Sequence, residues 1–584
     1  MSPGVRTPHL VANVEIARLF REMAELLELE GANAFRIRAY RNAARVIEEM
    51  PEPVAAMATD DPAQLRELPG IGEDLAGKIE EIARTGSLAA LRQERRKVPH
   101  GASELMRVPG LGPKRARALV EQLGVRSIAG LARAAKAGRV RTLPGFGAAT
   151  EQKILREIGE QLTEEHRVPR AVAAQYGEAL LAYLRDVPGV SRADLAGSFR
   201  RARETVGDLD ILVASRDHAR VTEAFVSYPE VREVLSEGPT RSSVRLASKL
   251  QVDLRVLDEE SYGAALHYFT GSKAHNIAVR RMGQQRGLKI NEYGVFRGTR
   301  RIGGREEKDV FAAVGLPWIP PELRENDGEI EAARARKLPE LVTLDDIRGD
   351  LQMHTTDSDG RHTLDEMAHA AQELGYAYIA VTDHTPKVRV AGGMDRAGFR
   401  RQMKRIERLN GTLHSLRVLA GAEVDINTDG TLDLDDDTLA ELDVVLVSIH
   451  SKLDLPADEQ TARLVRALQH PSVDIFAHPT GRLINGRRGA TFDLEQVIRV
   501  ANDHGVMLEI NGQPERLDLD DHAARVAVEH GAMLVISTDA HSCDELRFMR
   551  WGLDQARRGW VDAEHVANTK PRGSFVKLLH AQRR

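Results

Sequence analysis

Residues 197–213 read GSFRRARETVGDLDILV, and the apolar run that closes this stretch predicts a β-strand. Asp208 and Asp210 stand two positions apart at the start of that strand, so their carboxylates point to the same face. A second strand-like segment, residues 251–257, contributes Asp253. Neighbouring carboxylates repel one another unless a divalent cation lies between them. The pattern therefore predicts a sheet on which three aspartates hold two Mg²⁺ or Mn²⁺ ions.

The residues upstream of these aspartates suit the binding of phosphate groups. Gly197 and Ser198 can offer a backbone N–H and a hydroxyl to phosphate oxygens, and Arg201 can add charge-assisted hydrogen bonds. An acidic pair at the end of a strand is often no more than a turn former, but the Gly-Ser pair at this distance argues against that explanation. We therefore expect a site for a nucleoside triphosphate beside the ions.

One short pattern, apolar-Pro-Gly-apolar-Gly, occurs at residues 68–72, 108–112 and 143–147, and each copy precedes a helix-like segment. The glycines allow positive φ angles, and backbone N–H groups at a helix start can face an anion. A single copy would most simply be a helix connector, whereas three copies favour phosphate binding and resemble the helix-hairpin-helix of DNA-repair proteins. Such contacts position a duplex without reading its sequence. The glycines concerned are Gly70, Gly72, Gly110, Gly112, Gly145 and Gly147.

In the second half of the chain, short apolar runs recur, and nearly every run ends in a residue type that binds metals. These residues are His354, His384, Glu423, His450, His478, and Asp539 with His541. Helical patterns separate the runs, which predicts a βα barrel whose ligands meet at its C-terminal rim. A lone histidine is more often structural, but placement at successive strand ends argues for a metal cluster. Because Cys543 is the only cysteine, the ligands must be nitrogen and oxygen, which suit Mn²⁺, Zn²⁺ or Fe²⁺.

The composition limits the protein class. A chain of 584 residues is too long for one hydrophobic core, so we expect several domains. The formal net charge of -5 does not by itself indicate a nucleic-acid binder. No apolar run reaches the length of about 20 residues that a bilayer span needs, and the single cysteine fits a reducing compartment, so we expect a cytoplasmic protein with no membrane contact. Residues 319–346 carry prolines and charges, which predicts a linker with one exposed helix.

From near its N-terminus to about Trp318, the chain resembles the DNA polymerase X family. The resemblance rests on residues 197–213, residues 268–276 (YFTGSKAHN), Arg280 and residues 291–294 (NEYG). It implies that Asp208, Asp210 and Asp253 are the catalytic metal ligands, and that the nucleotide-binding residues are Gly197, Ser198, Arg201, Gly207, Tyr268, Phe269, Gly271 and Asn276. By the same resemblance, Tyr268 and Phe269 form the wall that checks the sugar, and Arg280 approaches the template. The implied substrates are dNTPs and gapped or primer-template duplex DNA.

The N-terminal segment 39–44 and the first hairpin resemble the deoxyribose-phosphate lyase domain of that family, in which a lysine after the hairpin forms a Schiff base. Lys78 stands at the matching place. Lys153 stands at the same offset from the third hairpin, where no lyase is expected. Lys78 is therefore either a lyase nucleophile, which requires a depressed pKa, or a helix lysine that contacts phosphate.

From about Arg348 onward the chain resembles the PHP phosphoesterase family. By position, the ligands of up to three ions are His354, Asp359, His384, Glu423, His450, His478, Asp539 and His541, and Arg482 is expected to contact phosphate. Asp359 lies in a Ser-Asp-Gly turn that could be purely structural. The family usually begins with His-x-His, whereas this chain has Gln352, whose carbonyl is a weaker ligand. The resemblance implies a 3′–5′ exonuclease and, as a further activity, an abasic-site endonuclease; the alternative is a barrel that serves only as a scaffold.

Taken together, these patterns predict a multidomain monomer with helical helix-hairpin-helix N-terminal domains, an α+β nucleotidyltransferase palm and a distorted, TIM-like (βα)7 PHP barrel. This combination resembles the bacterial form of the polymerase family, which fills short gaps in DNA repair. A rival is an untemplated or RNA-directed nucleotidyl transferase, although the three hairpins and Arg280 favour duplex DNA. The expected domains are 1–92 (lyase-like, first hairpin), 93–165 (second and third hairpins), 166–260 (palm), 261–318 (nucleotide and template checking), 319–346 (linker) and 347–584 (PHP).

Overall fold

The computed structural model describes residues 13–30, 32–49, 54–60, 62–66, 68, 70–85, 87–97, 105, 108, 111, 113–148, 150–152, 154–155, 167–387 and 392–582. The chain forms two compact units, Met1–Arg167 and Val168–Arg584. None of the helices in these ranges has the length and apolar character that a bilayer crossing requires.

The first unit is helical where it is described. Buried apolar side chains from one face of each helix form its core, and the ring of Phe20 meets the ring of Tyr40 edge-on at a centroid distance of 5.5 Å. The helices are Asn13–Glu30, Ala34–Glu49, Val54–Asp60, Glu73–Thr85, Ala89–Lys97, Pro113–Leu123 and Ile128–Lys136, with 3₁₀ turns at Gln64–Arg66 and Val140–Thr142. The prediction of helical N-terminal domains is confirmed.

The three repeated loops share one turn. The N–H groups of Ile71, Leu111 and Phe146 each donate to the carbonyl oxygen three residues earlier at 3.0 Å. Gly70 and Gly145 adopt positive φ angles of 73° and 81°, which glycine accepts without strain. A Cβ at Gly70, Gly72, Gly145 or Gly147 would meet no atom of the described residues within 4 Å, so those residues leave the space beside these glycines open. Gly110 and Gly112 of the second loop lie outside the described residues.

The second unit begins with an α+β region, as predicted. Its strands are β1 (Val168–Pro169), β2 (Val190–Leu195), β3 (Thr205–Val206), β4 (Asp208–Ser215), β5 (Val231–Ser236), β6 (Arg241–Leu246) and β7 (Gln251–Leu257). Its helices are Arg170–Arg185, Gly197–Arg200 and His218–Val226. Five of the strands form a sheet of order β2-β4-β7-β6-β5, in which β4 runs parallel to β7 and the other neighbours are antiparallel.

A smaller region follows this sheet and is tied to it by a buried ion network. Glu307 accepts hydrogen bonds from Arg200 at 2.7 Å and from the fully buried Arg324 at 2.5 Å. Burial would raise the pKa of Glu307, but the two guanidinium groups outweigh it and hold that pKa well below its usual range. The elements here are the helices Tyr262–Thr270, Lys273–Gln285 and Glu307–Ala313 and the strands β8 (Lys289–Asn291), β9 (Gly294–Arg297) and β10 (Arg300–Gly303).

The segment 319–346 differs from the exposed linker helix that its composition predicts. Its helix Glu329–Ala335 buries Ile330 and Ala333, and Glu329 pairs with the buried ring of His275 at 2.6 Å. Four of its charged residues are buried or half-buried and ion-paired, namely Glu322, Arg324, Glu325 and Glu329, whereas Glu331, Arg334, Arg336 and Lys337 are exposed. The remaining elements here are 3₁₀ turns at Pro321–Leu323 and Leu344–Asp346.

The C-terminal region is a barrel of seven parallel strands in sequential order, which confirms the predicted architecture. Its strands are β11 (Gly349–Asp350), β12 (Tyr378–Val381), β13 (Arg417–Asp425), β14 (Val444–Ser448), β15 (Ile475–Phe476), β16 (Met507–Asn511) and β17 (Leu534–Ser537). The helices are Leu364–Glu373, Arg396–Asn410, Asp436–Glu441, Ala457–Leu468, Leu494–His504, Asp521–Glu529, Met549–Arg558 and Arg572–Gln582, with 3₁₀ turns at Cys543–Phe548, Ala563–His565 and Ala567–Thr569.

A backbone bridge and the side chain of Asn568 connect the first and last strands of the barrel. Beyond the ends of β11 and β17, Met353 and Ala540 form a parallel bridge. The amide of Asn568 donates to the carbonyl oxygens of Gly349 at 2.8 Å and Ile536 at 2.7 Å, and accepts from the N–H of Ile536 at 3.0 Å. This seam completes the rim on which the predicted ligands stand.

Replacing Asn568 with Ala should destabilise the barrel, because it leaves buried backbone groups of two strands without partners. We expect the free energy of unfolding, measured from urea curves, to fall by about 2–4 kcal/mol. The matched control is Asn502→Ala, which removes only an exposed hydrogen bond to His530 and should cost less than about 0.5 kcal/mol. Equal losses in the two variants would contradict the role of Asn568 in the seam.

Two candidate metal centres

The palm sheet brings the three predicted aspartates together. Parallel pairing of β4 with β7 sets Asp210 opposite Asp253, and Asp208 stands two positions earlier on β4. Burial, together with the charges of Asp208 and Asp253, raises the pKa of Asp210 to about 7. A cluster of carboxylates that resists its own ionisation fits the oxygen donor set of Mg²⁺ or Mn²⁺, because a divalent cation removes the repulsion.

Gly197 lies directly against this cluster. A Cβ at Gly197 would approach Oδ2 of Asp210 to 2.3 Å, and its φ of 62° is a conformation that favours glycine. The N–H of Ala196 donates to the carbonyl oxygen of Asp210 at 2.8 Å and fixes the loop on the strand. Ser198 and Gly207 flank the same loop and are half-buried.

The other residues assigned to the nucleotide are more engaged than the sequence indicated. Arg201 donates from Nε to Glu325 at 3.0 Å and from Nη1 to the carbonyl oxygen of Thr270 at 2.5 Å. Asn276 donates to the carbonyl oxygen of Tyr268 at 2.6 Å, while its buried Oδ1 has no hydrogen-bond partner in the described ranges.

Beside them, the rings of Tyr268 and Phe269 meet edge-on at 5.1 Å, and Gly271 adopts a φ of 71°. Arg280 is exposed on helix Lys273–Gln285. A triphosphate that binds Arg201 would therefore compete with Glu325 and the Thr270 carbonyl for its N–H groups.

Sequence reasoning missed the polar neighbours of Asp253. Gln251 donates to it at 3.0 Å, Arg241 lies 3.5 Å from it, and the guanidinium of Arg255 lies 4.6 Å from the ring of Phe269. Gln251 and Arg255 stand two positions to either side of Asp253 on β7, so strand alternation could have found them. Arg241 comes from β6, which no local pattern connects to the site.

The barrel rim gathers the second set of predicted residues. Three overlapping groups of side chains meet here, and within each group the ligand atoms lie within 4.8 Å of one another. The groups are His354, Asp359, His384 and His541; His384, Glu423 and His450; and His354, Glu423 and Asp539. Glu423 is central, because it also accepts a hydrogen bond from His478 at 2.9 Å. The second ring nitrogens of His354, His384 and His478 are buried without hydrogen-bond partners among the described residues. Nitrogen and carboxylate donors of this kind fit Mn²⁺, Zn²⁺ or Fe²⁺.

The protonation pattern of the rim also fits cations. Burial lowers the pKa of His384 to about 4, which keeps its ring neutral, as a metal ligand requires. For His354, burial acts in the same direction, but Asp539 and Glu423 at 3.0 and 3.3 Å outweigh it and raise the pKa well above its usual value. A proton on His354 compensates these carboxylates in the absence of an ion, and a metal ion bound by His354 would replace that proton.

Asp359 and Gln352 both contact other residues of the cluster. Asp359 approaches His384 at 3.6 Å and His541 at 3.5 Å, so the turn that carries Asp359 places its carboxylate among the candidate metal ligands. Gln352 donates its amide to Glu423 at 3.0 Å. In this arrangement Gln352 orients a carboxylate ligand.

Further residues at the rim were missed. Asp425 lies 3.4 Å from His450 and 3.0 Å from Lys387, and it stands two positions after Glu423 on β13. Asn511, which the sequence places at the end of the apolar run 506–510, donates to Asp539 at 3.1 Å, and Arg516, which the sequence did not indicate, lies 3.7 Å from the same carboxylate. Arg516 comes from a loop without a sequence pattern, which explains why it was not found.

Arg482 and Lys78 are surrounded differently from the expectation. Arg482 donates to the carbonyl oxygens of Arg516 and Leu517 and to Glu204 of the palm at 2.7 Å. Lys78 is ion-paired with Asp74, and its Nζ lies 5.4 Å from the ring of Tyr40. Burial lowers the pKa of Lys78, but Asp74 and Tyr40 outweigh it and raise that pKa, the opposite of what a Schiff-base nucleophile needs.

Known proteins are similar to the regions that contain these two candidate centres. The chain is 39% identical over 562 residues to "DNA polymerase/3'-5' exonuclease PolX" of Bacillus subtilis (strain 168), an alignment that covers 95% of this chain and 97% of that protein. The chain belongs to the bacterial DNA polymerase X family. It is also 28% identical over 347 residues to "DNA polymerase lambda" of Arabidopsis thaliana, covering 53% of this chain and 62% of that protein.

Each structural region of this polymerase X chain matches a known protein family. The families described as DNA polymerase beta palm and DNA polymerase beta thumb match residues 167–263 and 265–325, and the PHP domain matches residues 350–513. A helix-hairpin-helix domain matches residues 11–88 and a helix-hairpin-helix tandem matches residues 102–160. A protein of Thermoanaerobacter sp. (strain X514) named "Probable phosphatase" is 28% identical over 246 residues, covering 40% of this chain and 95% of that protein.

Replacing Glu423 with Gln should reduce the number of ions that the chain binds, because its carboxylate belongs to two of the three groups of candidate ligands. We expect elemental analysis of the Mn²⁺-loaded protein to find at least one ion fewer per chain than in the unmodified protein. The control is Glu441→Gln, at an exposed carboxylate that pairs with Arg400 on the barrel surface, which should leave the ion content unchanged. Unchanged metal content in Glu423→Gln would contradict the assignment of the rim as a metal centre.

Proposed function

We propose that the chain is a DNA-repair polymerase that fills short gaps by two-metal, template-directed addition of dNTPs, and that its PHP barrel is a metal-dependent 3′–5′ exonuclease. The observation that carries the proposal is the pairing of Asp210 with Asp253 across parallel strands, beside Gly197, in a region that matches the polymerase beta palm. The names of the relatives from Bacillus subtilis and Arabidopsis thaliana support the same activity.

In this proposal Asp208, Asp210 and Asp253 would hold two Mg²⁺ or Mn²⁺ ions, which would supply positive charge for an in-line attack on the triphosphate. Gly197 leaves space beside Asp210, while Ser198 and Arg201 bind phosphate oxygens together with Gly207 and Gly271. Tyr268 and Phe269 form a wall beside the sugar, Asn276 faces the nascent pair, and the exposed Arg280 meets the template. The raised pKa of Asp210 supports the need for a cation here.

Duplex binding is assigned to the hairpins. The open space beside Gly70, Gly72, Gly145 and Gly147 supports contact with the phosphate backbone, and we assign Gly110 and Gly112 of the second loop the same role. Gapped or primer-template DNA and dNTPs are the proposed partners of a monomeric, cytoplasmic enzyme. We also retain the domain boundaries 1–92, 93–165, 166–260, 261–318, 319–346 and 347–584 as a proposal.

For Lys78 we propose the phosphate-contacting role in this conformation. Its pairing with Asp74 and its raised pKa support this choice over the lyase nucleophile.

In the barrel, up to three Mn²⁺, Zn²⁺ or Fe²⁺ ions would clamp a phosphodiester and activate a water molecule. The proposed ligands are His354, Asp359, His384, Glu423, His450, His478, Asp539 and His541, with Gln352 at the periphery. Abasic-site endonuclease activity would use the same centre. The alternative, a barrel that acts only as a scaffold, takes its support from Gln352, which stands where the family usually has histidine. The buried imidazole nitrogens without partners favour an active centre.

Replacing Asp210 with Asn should abolish primer extension on gapped DNA and spare the exonuclease. Loss of an outer-shell partner costs up to about 100-fold, so loss of a direct ligand should lower kcat by at least about that factor. The measurement compares extension on gapped DNA, on an RNA template and with free nucleosides as acceptors. Extension that survives in Asp210→Asn, or that prefers RNA or untemplated acceptors, would contradict the proposal.

Replacing His384 with Ala should have the reciprocal effect. We expect loss of Mn²⁺-dependent 3′–5′ degradation by at least about 100-fold, with gap filling retained, because the palm and the barrel hold separate ions. Degradation of a labelled single strand is the measurement, and Asp210→Asn is the matched control. Equal nuclease activity in His384→Ala and in the unmodified chain would favour the scaffold.

A further inference from the structure

One carboxylate is shared between the palm nucleotide site and the barrel. Oε1 of Glu325 accepts a hydrogen bond from Nε of Arg201 at 3.0 Å and another from Nη1 of Arg558 at 3.2 Å. Arg203 lies 3.9 Å from the same oxygen. Glu325 therefore joins a residue assigned to the triphosphate with a residue of the barrel.

Arg558 is the barrel residue of this cluster, and its own surroundings define its orientation. It ends the helix Met549–Arg558, and its side chain is 4% exposed. Its Nη1 also donates to the backbone carbonyl oxygen of Arg201 at 2.8 Å, and its Nη2 pairs with Asp521 at 2.5 Å. A buried guanidinium is tolerated when acceptors satisfy it in this way. The side chain is thus held against the palm loop by acceptors from both sides.

The position of Glu325 creates a competition for Arg201. A triphosphate that binds Nε of Arg201 must displace Glu325 from it, and the carboxylate would then face an anionic ligand. After that exchange, Arg558 is the nearest cation that can hold Glu325. Without Arg558, Glu325 would have its strongest remaining partner in Arg201 and would keep it from the phosphates.

We propose that Arg558 of the PHP barrel is a positioning residue of the polymerase site: it holds Glu325 and thereby releases Arg201 to the triphosphate. The inference rests on the proposed polymerase function and gives the barrel a role in that reaction besides its own hydrolytic one. It assigns to Arg558 an effect on nucleotide affinity and not on the chemical step.

The test is steady-state gap filling by the full chain with the dNTP concentration varied. Arg558→Met should raise KM for the dNTP by at least about fivefold, the lower end of usual coupling between two sites, while kcat stays nearly constant. Arg558→Lys keeps a positive charge beside Glu325 and should raise KM less than Arg558→Met does.

A second substitution separates this mechanism from loss of packing. Glu325→Gln removes the competing carboxylate, so it should leave KM unchanged or lower it. The double variant Arg558→Met with Glu325→Gln should return KM towards that of the unmodified chain, since no anion then holds Arg201 back. A merely structural role of Arg558 would give losses that add.

The matched control is Asp554→Asn, which breaks another ion pair between barrel and palm, that of Asp554 with Arg170 at 2.5 Å, without touching Glu325. It should leave KM unchanged. Equal increases of KM in Asp554→Asn and Arg558→Met, or failure of Glu325→Gln to relieve the double variant, would overturn the inference alone. An unmodified chain that extends no primer would overturn the polymerase function with it.

Discussion

Parallel strand pairing is the constraint on which both centres depend. In the palm, the register between β4 and β7 sets Asp210 opposite Asp253, and one residue of slip would turn one of them to the other face of the sheet. In the barrel, seven parallel strands deliver their C-terminal ends to one rim, where Glu423 meets several imidazoles. In both centres, parallel strand pairing brings the candidate ligands together, although the ligand types differ.

Each centre concentrates charge that the protein alone balances incompletely. In the palm, Asp210 resists ionisation beside Asp208 and Asp253. At the rim, carboxylates are interleaved with imidazoles, and His354 takes up a positive charge near Asp539. Divalent cations would relieve both situations, which links stability and metal binding. By contrast, hydrogen bonds within the protein hold together the seam at Asn568 and the buried ion pair of Glu307 with Arg324.

Ion pairs connect the palm region with the barrel. Glu204 and Glu325 on one side meet Arg482 and Arg558 on the other, and all of these side chains are at least partly buried. Ion pairs of this kind are sensitive to removal of a single partner, because the remaining charge is then left without compensation. The segment 319–346 packs in the same region. This packing explains why the segment is not the exposed linker that its charges predicted.

The sequence by itself determined the fold class, the three aspartates and the ligand types at the barrel rim, because strand alternation and recurring strand ends are local patterns. It also located the repeated hairpins. Only the tertiary structure decided that Asp359 joins the cluster, that Gln352 bonds to Glu423, and that Arg201 is held by Glu325. The last of these contacts joins residues more than a hundred positions apart, and no periodicity encodes such a distance. Packing between regions sets these partners, whereas residue spacing sets only which side chains share a face.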